Sequence, residues 1–531
     1  MDKRLSESES NQQTVTIPKT EYDALQQELK WYKEFLILSQ HRQFGSSSEK
    51  TSKDQLSMFN EAEANANEGA AEPELKQAIA GYSRKKGKRG IDKLPEDLPV
   101  EIVEHTLPAE EQSCPECGNN LHIMGTETRD ELKFVPARAV IVRHIVSTYS
   151  CRKCEKNNTK VPIIKASAPQ PVIKGSFASP QAIAHIAAQK FVMGVPLYRQ
   201  EQEWKRAGID LSRQTMSNWL LRASHDCLEP LYDNLRRLLL ERSVLHADET
   251  TLQVLHEEGK AAQSKSYMWL YRTGGDAKIP QETLSCHKLA IHLMPIVLYD
   301  YQPDRRAKRP QVFLKDYKGY LHTDGYEAYH GLSEDIVVVG CWAHARRKFD
   351  EALKPISPAQ QIGTGAMHGK SVCDKLFSIE RSLVDLPPEK RLTKRRELAK
   401  PIVDDFLHWL KQQKIGKTLF GNAVHYTLSQ WKYLERYLLD GRLEISNNRA
   451  ERSIKPFVIG RKNWLFANTP KGAKASAILY SIIETAKEND LDPYRYLSYI
   501  FSVAPNCDLK NEESVNALLP INAPADCRCK G

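Results

Sequence analysis

Three acidic residues sit where carboxylates could share a metal ion. The first, Asp248, lies in the stretch 243–255, SVLHADETTLQVL, an apolar-leaning run of β type that pauses at Asp248, Glu249, Thr250 and Thr251 and resumes at Leu252. A carboxylate on a half-buried strand is costly unless something pairs with it or binds it. The plain alternative is a strand-end acid that faces solvent or caps a turn. The second, Asp324, follows the strand-like run 319–323 and precedes Gly325. Asp-Gly is a turn signal, but here it also projects a carboxylate from the C-terminal end of a strand, where α/β sheets place their sites. The 76-position separation of the two acids leaves room for a three-stranded meander, a helix and a further strand, so both could sit on adjacent strands. The third, Glu451, opens a helical stretch, NNRAERSIKP; with Asn448 it also fits a capping box, and Glu435, Asp440 and Glu444 compete with it. Beside Asp248 and Asp324 it reads as the third ligand. Three carboxylates supply a charge of about −3, suited to two hard divalent ions, Mg²⁺ or Mn²⁺, at roughly 3.5–4 Å separation.

A second metal chemistry is written in cysteine. Cys114-Pro-Glu-Cys117 and Cys151-Arg-Lys-Cys154 are two CxxC knuckles separated by 34 residues. Each knuckle turns two thiolates onto one ion, and two complete a tetrahedral Cys₄ zinc site of structural type. The alternating text at 134–146 supplies a β-hairpin to fill the gap. Cys341 and His344 offer two more ligands after a strand-like run at 336–341. Two ligands do not make a site, so core packing and support of the acids from behind is the expectation for them.

Positive charge recurs at places suited to phosphate. Arg84, Lys85, Lys86, Lys88 and Arg89 form a tract next to an acidic, Ala-rich linker. Such a tract supplies DNA affinity without reading sequence, or is a solvated tether. Helix, short Gly208 turn and a helix beginning near Ser212 form a helix-turn-helix layout, with Arg213 and Gln214 free to reach bases and Trp219 and Leu220 in the core. Arg346, Arg347 and Lys348 offer a basic surface near the acids, and Arg461 and Lys462 precede Trp464 and Phe466 as a gripping surface at a strand end.

The elements that must position these groups follow from period and length. A chain of 531 residues is too long for one core, and 41% hydrophobic residues suffice for globular domains. The reading is a multidomain α/β protein in eight parts. Residues 1–50 hold an amphipathic or coiled-coil helix that could dimerise; 51–95 are an acidic then basic linker; 96–170 the zinc segment; 171–242 a helical DNA-binding segment. Strand text at 244–255, 266–272, 289–293, 296–301, 319–323 and 336–341 makes 243–349 the first part of a mixed-sheet core. Residues 350–440 are a helical insertion, with helices expected at 371–386, 389–411 and 428–439; 441–489 return to the core with the third acid; 490–531 form a C-terminal segment with a loose polar tail. The net charge is a modest +9, so its distribution matters more than its sum. The first residues have no apolar signal core, no run of about 18 apolar residues could span a bilayer, and the 11 cysteines are not spaced as a disulfide framework. A cytoplasmic protein with reduced thiols and no membrane partner is expected.

Taken together, FGSSSEK at 44–50, CPECG at 114–118 with CRKC at 151–154, LYRQE at 197–201, HADET at 246–250, HTDGYEAYH at 322–330, CWAHARRKF at 341–349 and NNRAERSIKPFVIGRKNWLF at 447–466 resemble the transposases of the insertion sequence 66 family. The resemblance implies a ribonuclease H-like catalytic core with the acidic triad Asp248, Asp324 and Glu451, an N-terminal dimerisation segment and a zinc-binding segment. It also implies double-stranded DNA as partner (terminal inverted repeats and target), small accessory proteins from the same element, and a bacterial, nucleoid-associated location when bound. Holding two DNA ends together implies a homo-oligomer. Two other classes stay open on the residues alone: a zinc-stabilised DNA-binding regulator without catalysis, and a metal-dependent nuclease that cuts without joining.

Overall fold

The computed structural model describes residues 140–150, 163–277 and 287–529, together with Lys19. The chain divides into two units, residues 46–147 and residues 1–45 with 148–531. Of the first unit only 140–147 are described, and they carry no regular element. The N-terminal helix, the basic tract at 84–89 and the four knuckle cysteines lie outside the described residues. β1 (Thr148–Ser150) and β2 (Ile163–Lys165) pair antiparallel, and the connection between them carries Cys151 and Cys154.

A helical segment comes next in the second unit: α1 (Pro180–Phe191), α2 (Leu197–Arg206), α3 (Arg213–Ala223), then a short π-helical turn into α4 (Glu229–Leu240). Ser179 and Ser212 start α1 and α3 by accepting the backbone N–H of Ala182 and Thr215, a standard N-cap exchange. The turn between α2 and α3 passes through Gly208 at φ +77°, a conformation that favours glycine.

Five strands form the central sheet: β3 (Val244–Gln253), β4 (Lys265–Thr273), β5 (Val297–Gln302), β6 (Gly319–His322) and β7 (Ile336–Val339). Their order is β5-β4-β3-β6-β7. β3, β4 and β5 are an antiparallel meander, and β6 and β7 add in parallel on the other side of β3. β4 is buried along most of its length, which its near-continuous apolar text, YMWLY, requires of a strand covered on both faces. Between β5 and β6 runs a short helix, α6 (Lys308–Phe313), and α5 (His287–Leu293) precedes β5. The run at 289–293, expected as a strand, is therefore helix; a short apolar run has no period of its own to separate the two.

The free edge of β5 is closed by side chains. On α13 (Pro470–Glu488), the Ser481 and Thr485 hydroxyls accept the N–H groups of Tyr299 and Val297 at 2.7 and 3.0 Å. One helical turn of hydroxyls takes the place of a sixth strand. The chain after β7 enters α7 (Trp342–Leu353) and then α8 (Gly365–Ser382), α9 (Pro388–Leu398), α10 (Lys400–Lys411) and α11 (Leu419–Ser429). The single helix expected over 389–411 is two, because Pro401 cannot continue the first. The helix expected over 428–439 is broken into a short turn of α-helix, Trp431–Leu434, and a 3-10 turn, Glu435–Leu438.

These helices own a second core around Trp342, Phe349, Phe406 and Trp431. Arg395 is fully buried there and fully paired. Its guanidinium meets both Glu380 oxygens at 2.8 and 2.7 Å and donates to the carbonyls of Tyr437, Asp440 and Leu443. That fan of bonds fixes the segment that leads back to the sheet and to α12 (Asn448–Trp464). The tail does not run loose. After α14 (Pro493–Val503), Leu518, Leu519 and Cys527 are buried against the main core, and Cys529 N–H bonds the Asp490 carbonyl at 2.9 Å. Its apolar residues are too few and too scattered for a sequence pattern to reveal this.

Candidate active site

The β3–β6 register brings the first two acids together. Val244, Leu245 and His246 pair in parallel with Tyr320, Leu321 and His322. Asp248, inside β3, and Asp324, two residues past the end of β6, each lie two positions beyond the last of these pairs, and the charge of Asp324 acts on the Asp248 carboxyl. Thr323 N–H still bonds Val339 O at 3.0 Å, so the chain remains extended up to the acid. Asp324 then accepts Tyr326 N–H at 2.9 Å and turns through Gly325 at φ +93°, where a Cβ would stand 2.9 Å from Gln430 Oε1.

Period-2 alternation separates Asp248 from Glu249. Glu249 is held by the Arg305 guanidinium and, at 2.6 Å, by the Tyr329 hydroxyl. It is a satisfied structural acid. The Asp248 carboxylate accepts the N–H of Glu249 at 2.8 Å. Burial and then the charges of Glu249, Asp324 and Glu451 push the Asp248 carboxyl well above the usual carboxylate range. Crowded carboxylate oxygens are the donor set that hard divalent cations take.

Glu451 stands in the first turn of α12. The capping box with Asn448 does not form: the helix is capped at Asn447, whose side chain is engaged elsewhere. Asn447 Nδ2 donates to Ala247 O at 2.8 Å, and Asn447 Oδ1 lies 3.0 Å from His246 Nδ1. One side chain thus clamps the start of α12 to β3. Ser453 adds contacts to β4 and β5, accepting the Arg272 guanidinium on its hydroxyl and the Tyr299 hydroxyl on its carbonyl. Glu451 Oε1 lies 3.8 Å from His344 Nδ1, and Oε2 lies 3.5 Å from the Arg347 guanidinium. Among the described residues, the set of three ligand atoms lying within 4.8 Å of one another comprises Cys341, His344 and Glu451, not the three acids. Glu451 is turned toward α7, where His344 and Arg347 meet its two oxygens.

Three residues in this site escape a reading by acids alone. His246 and His322 are buried two positions before Asp248 and Asp324, and Asn447 is buried four before Glu451. The signal was the repeated step His-x-Asp, present in both HADET and HTDG. Burial holds both histidines well below their ordinary value, so both are neutral. His322 Nε2 accepts Glu444 N–H at 3.3 Å.

The candidate DNA contacts divide. Arg213, Gln214, Arg347 and Lys462 are exposed. Trp219 and Leu220 on α3 are buried, as the helix-turn-helix layout requires. Arg346 pairs with Asp374 and Lys348 with Glu351. Arg461 reaches back to Thr250 and Thr251 on β3, so it ties the end of α12 to the sheet. It does so from a helix, not from a strand end.

Residues 175–475 match the family model described as Transposase IS66 family, 111–155 the zinc-finger binding domain of transposase IS66, and 481–521 the IS66 C-terminal element. Residues 31–103 match a model described as Transposase C of IS166 homeodomain. The zinc-finger match contains all four knuckle cysteines. The chain is also similar to three proteins of Sinorhizobium fredii (strain NBRC 101917 / NGR234). It is 30% identical to uncharacterized protein y4jD over 464 residues, 85% of each chain. It is 29% identical to y4hP over 80% of this chain and 75% of that one, and 29% identical to y4qI over 80% and 76%. No helix among the described residues is long and apolar enough to cross a membrane.

Proposed function

The chain belongs to the IS66 family of transposases, and from that premise we propose that it binds the terminal inverted repeats of its own element, cuts there and joins the freed end to target DNA. The observation that supports this reading is the parallel register of β3 and β6, which carry Asp248 and lead into Asp324, with a third acid on the helix that Asn447 clamps to β3. The mixed sheet of meander plus parallel pair supports a ribonuclease H-like core.

Asp248, Asp324 and Glu451 would hold Mg²⁺ or Mn²⁺. Bound there, such ions supply Lewis-acid activation of the attacking hydroxyl and stabilisation of the leaving 3′-oxygen. The chain's own residues do the positioning. His246 and His322 fix the strands behind the aspartates; Asn447 fixes the helix that carries Glu451; Arg305 and Tyr329 keep Glu249 off the site. The nearby Cys341 thiol is not poised as a nucleophile, since burial pushes it up to about 12. No covalent enzyme–DNA intermediate is therefore expected. Arg213 and Gln214 on α3, with the tract at 84–89, would meet DNA through bases and phosphates respectively. Arg347, which pairs with Glu451, and Arg346, Lys348 and Lys462 would meet DNA phosphates. The four knuckle cysteines would hold a structural zinc ion.

Labelled DNA carrying the element's terminal repeats, incubated with the purified protein and Mg²⁺, separates the readings. Joined product supports the proposal; cutting alone points to a nuclease, and binding alone to a regulator.

A further inference from the structure

Beside the aspartate pair lies a set of ligand atoms that hydrogen bonding does not explain. Cys341 Sγ, a ring nitrogen of His344 and a carboxylate oxygen of Glu451 all fall within 4.8 Å of one another. His344 Nδ1 and Glu451 Oε1 face each other at 3.8 Å. Both atoms are buried, and neither makes a hydrogen bond. Buried polar atoms are almost always partnered, and a facing pair that is not is where a bound ion or water belongs. The second oxygen, Oε2, is taken by Arg347 at 3.5 Å, which aims Oε1 at His344.

The sulfur is also set up as more than core filling. Cys341 is 1% exposed, and its Sγ accepts Asn447 N–H at 3.1 Å. It is the N-cap residue of α7, whose positive end offsets part of the burial that holds the thiol protonated, and a bound cation would supply the rest. Glu451 likewise lies in the first turn of α12.

We propose that Cys341, His344 and Glu451 bind a thiophilic divalent transition-metal ion of the Zn²⁺ class, through one thiolate, one imidazole and one carboxylate, with a fourth position open to water. Bonds of roughly 2.0–2.3 Å in tetrahedral geometry place neighbouring ligand atoms roughly 3.3–3.8 Å apart, so the observed facing distance needs little adjustment. A sulfur and a nitrogen among three ligands select against Mg²⁺, which takes oxygen. The site is thus chemically distinct from the aspartate pair. On binding, the Cys341 proton leaves to solvent. Glu451 is shared with the acidic triad, so an ion here draws the third carboxylate away from Asp248 and Asp324 and inhibits the reaction. That consequence rests on the transposase reading; the binding itself does not.

The test uses the full-length protein saturated with Co²⁺, whose thiolate charge-transfer band reports sulfur ligands, with metal content measured per chain. Wild type, Cys341→Ser and His344→Ala are compared, the CxxC pairs being identical in all three. The wild type should hold one ion per chain more than either variant, and Cys341→Ser should lose part of the charge-transfer band. His344→Ala guards against disturbance of the fold by replacing a buried cysteine, and circular dichroism checks both variants. Equal metal content and superimposable spectra in wild type and His344→Ala would overturn the proposal. An inactive protein that still binds the extra ion would count against the transposase reading alone.

Discussion

His246 and His322 stack with ring centroids 4.3 Å apart and planes 12° from parallel, each two residues before an acid of the pair. The stack lies on the β3–β6 register that leads to Asp248 and Asp324, and Asn447 joins it to the helix of Glu451. Asn447 Nδ2 donates to Ala247 O, so its Oδ1 is the acceptor for His246 Nδ1–H. Both rings are neutral and buried, and two imidazolium rings could not share that stack.

The stack's contribution to stability should therefore fall as pH falls. Burial lowers both folded-state values, whereas in the unfolded chain both rings protonate below about pH 6.5. The unfolded state then binds more protons, so this contribution is level above that pH and falls below it. Two such protons give a slope of up to about 2.7 kcal/mol per pH unit. Urea midpoints between pH 7.5 and 5 measure it, with His322→Gln expected to show a shallower fall. A variant slope equal to wild type would remove His322 from the account.

Asn447→Ala should cost both fold and reaction. It leaves Ala247 O and His246 Nδ1 buried without partners, at about 1–3 kcal/mol for each group. Because the clamp holds α12 to β3, cleavage should fall further than the lost stability explains at a temperature where the variant is folded. Denaturant unfolding and a cleavage assay on one preparation check this.

The adjacent acids Asp248 and Glu249 should respond in opposite directions. The Asp248 value is raised, so the stability it offers is full below the unfolded value and is lost as pH rises through the folded one. Asp248→Asn should raise the melting temperature without divalent ions and abolish the rise that Mg²⁺ gives wild type, about 1.4 kcal/mol at tenfold excess over Kd. Burial and Asp324 raise the Glu249 value as well, but its two oxygens are held by Arg305 and Tyr329, and Glu249→Gln replaces one of these acceptors with a donor amide, so it should lower stability by roughly 1–3 kcal/mol. Thermal melts with and without Mg²⁺ distinguish the two.

Much of this architecture was legible in local text. Asp248 and Asp324 announced themselves as carboxylates interrupting β-type runs, and the distance between them allowed for the meander that separates them. α2, the Gly208 turn and α3 were legible from their cap and glycine. What local text could not carry was pairing at long range. His246 meets Asn447 across 201 positions, and Arg395 meets Leu443 across 48. The helix at His287–Leu293 was misread because a short apolar run fits either period. The capping box that Glu451 offered as an alternative with Asn448 does not form, because the cap falls at Asn447, which spends its side chain on β3. The closeness of Glu451 to Cys341 and His344 depends on two helix starts meeting, which no spacing in the chain reveals.

The central claim is that Asp248 is a metal-holding catalytic acid and not a structural one. Wild type and Asp248→Asn are incubated with Mg²⁺ and labelled DNA carrying the inverted repeats of the element, and binding, cleavage and joining are read from the same reaction. Loss of a carboxylate that holds the ions removes several kcal/mol of transition-state stabilisation, a fall of roughly 10³-fold or more. The account predicts cut and joined product from wild type, and from Asp248→Asn unchanged DNA binding with neither product. Metal-dependent cleavage retained by Asp248→Asn would contradict it.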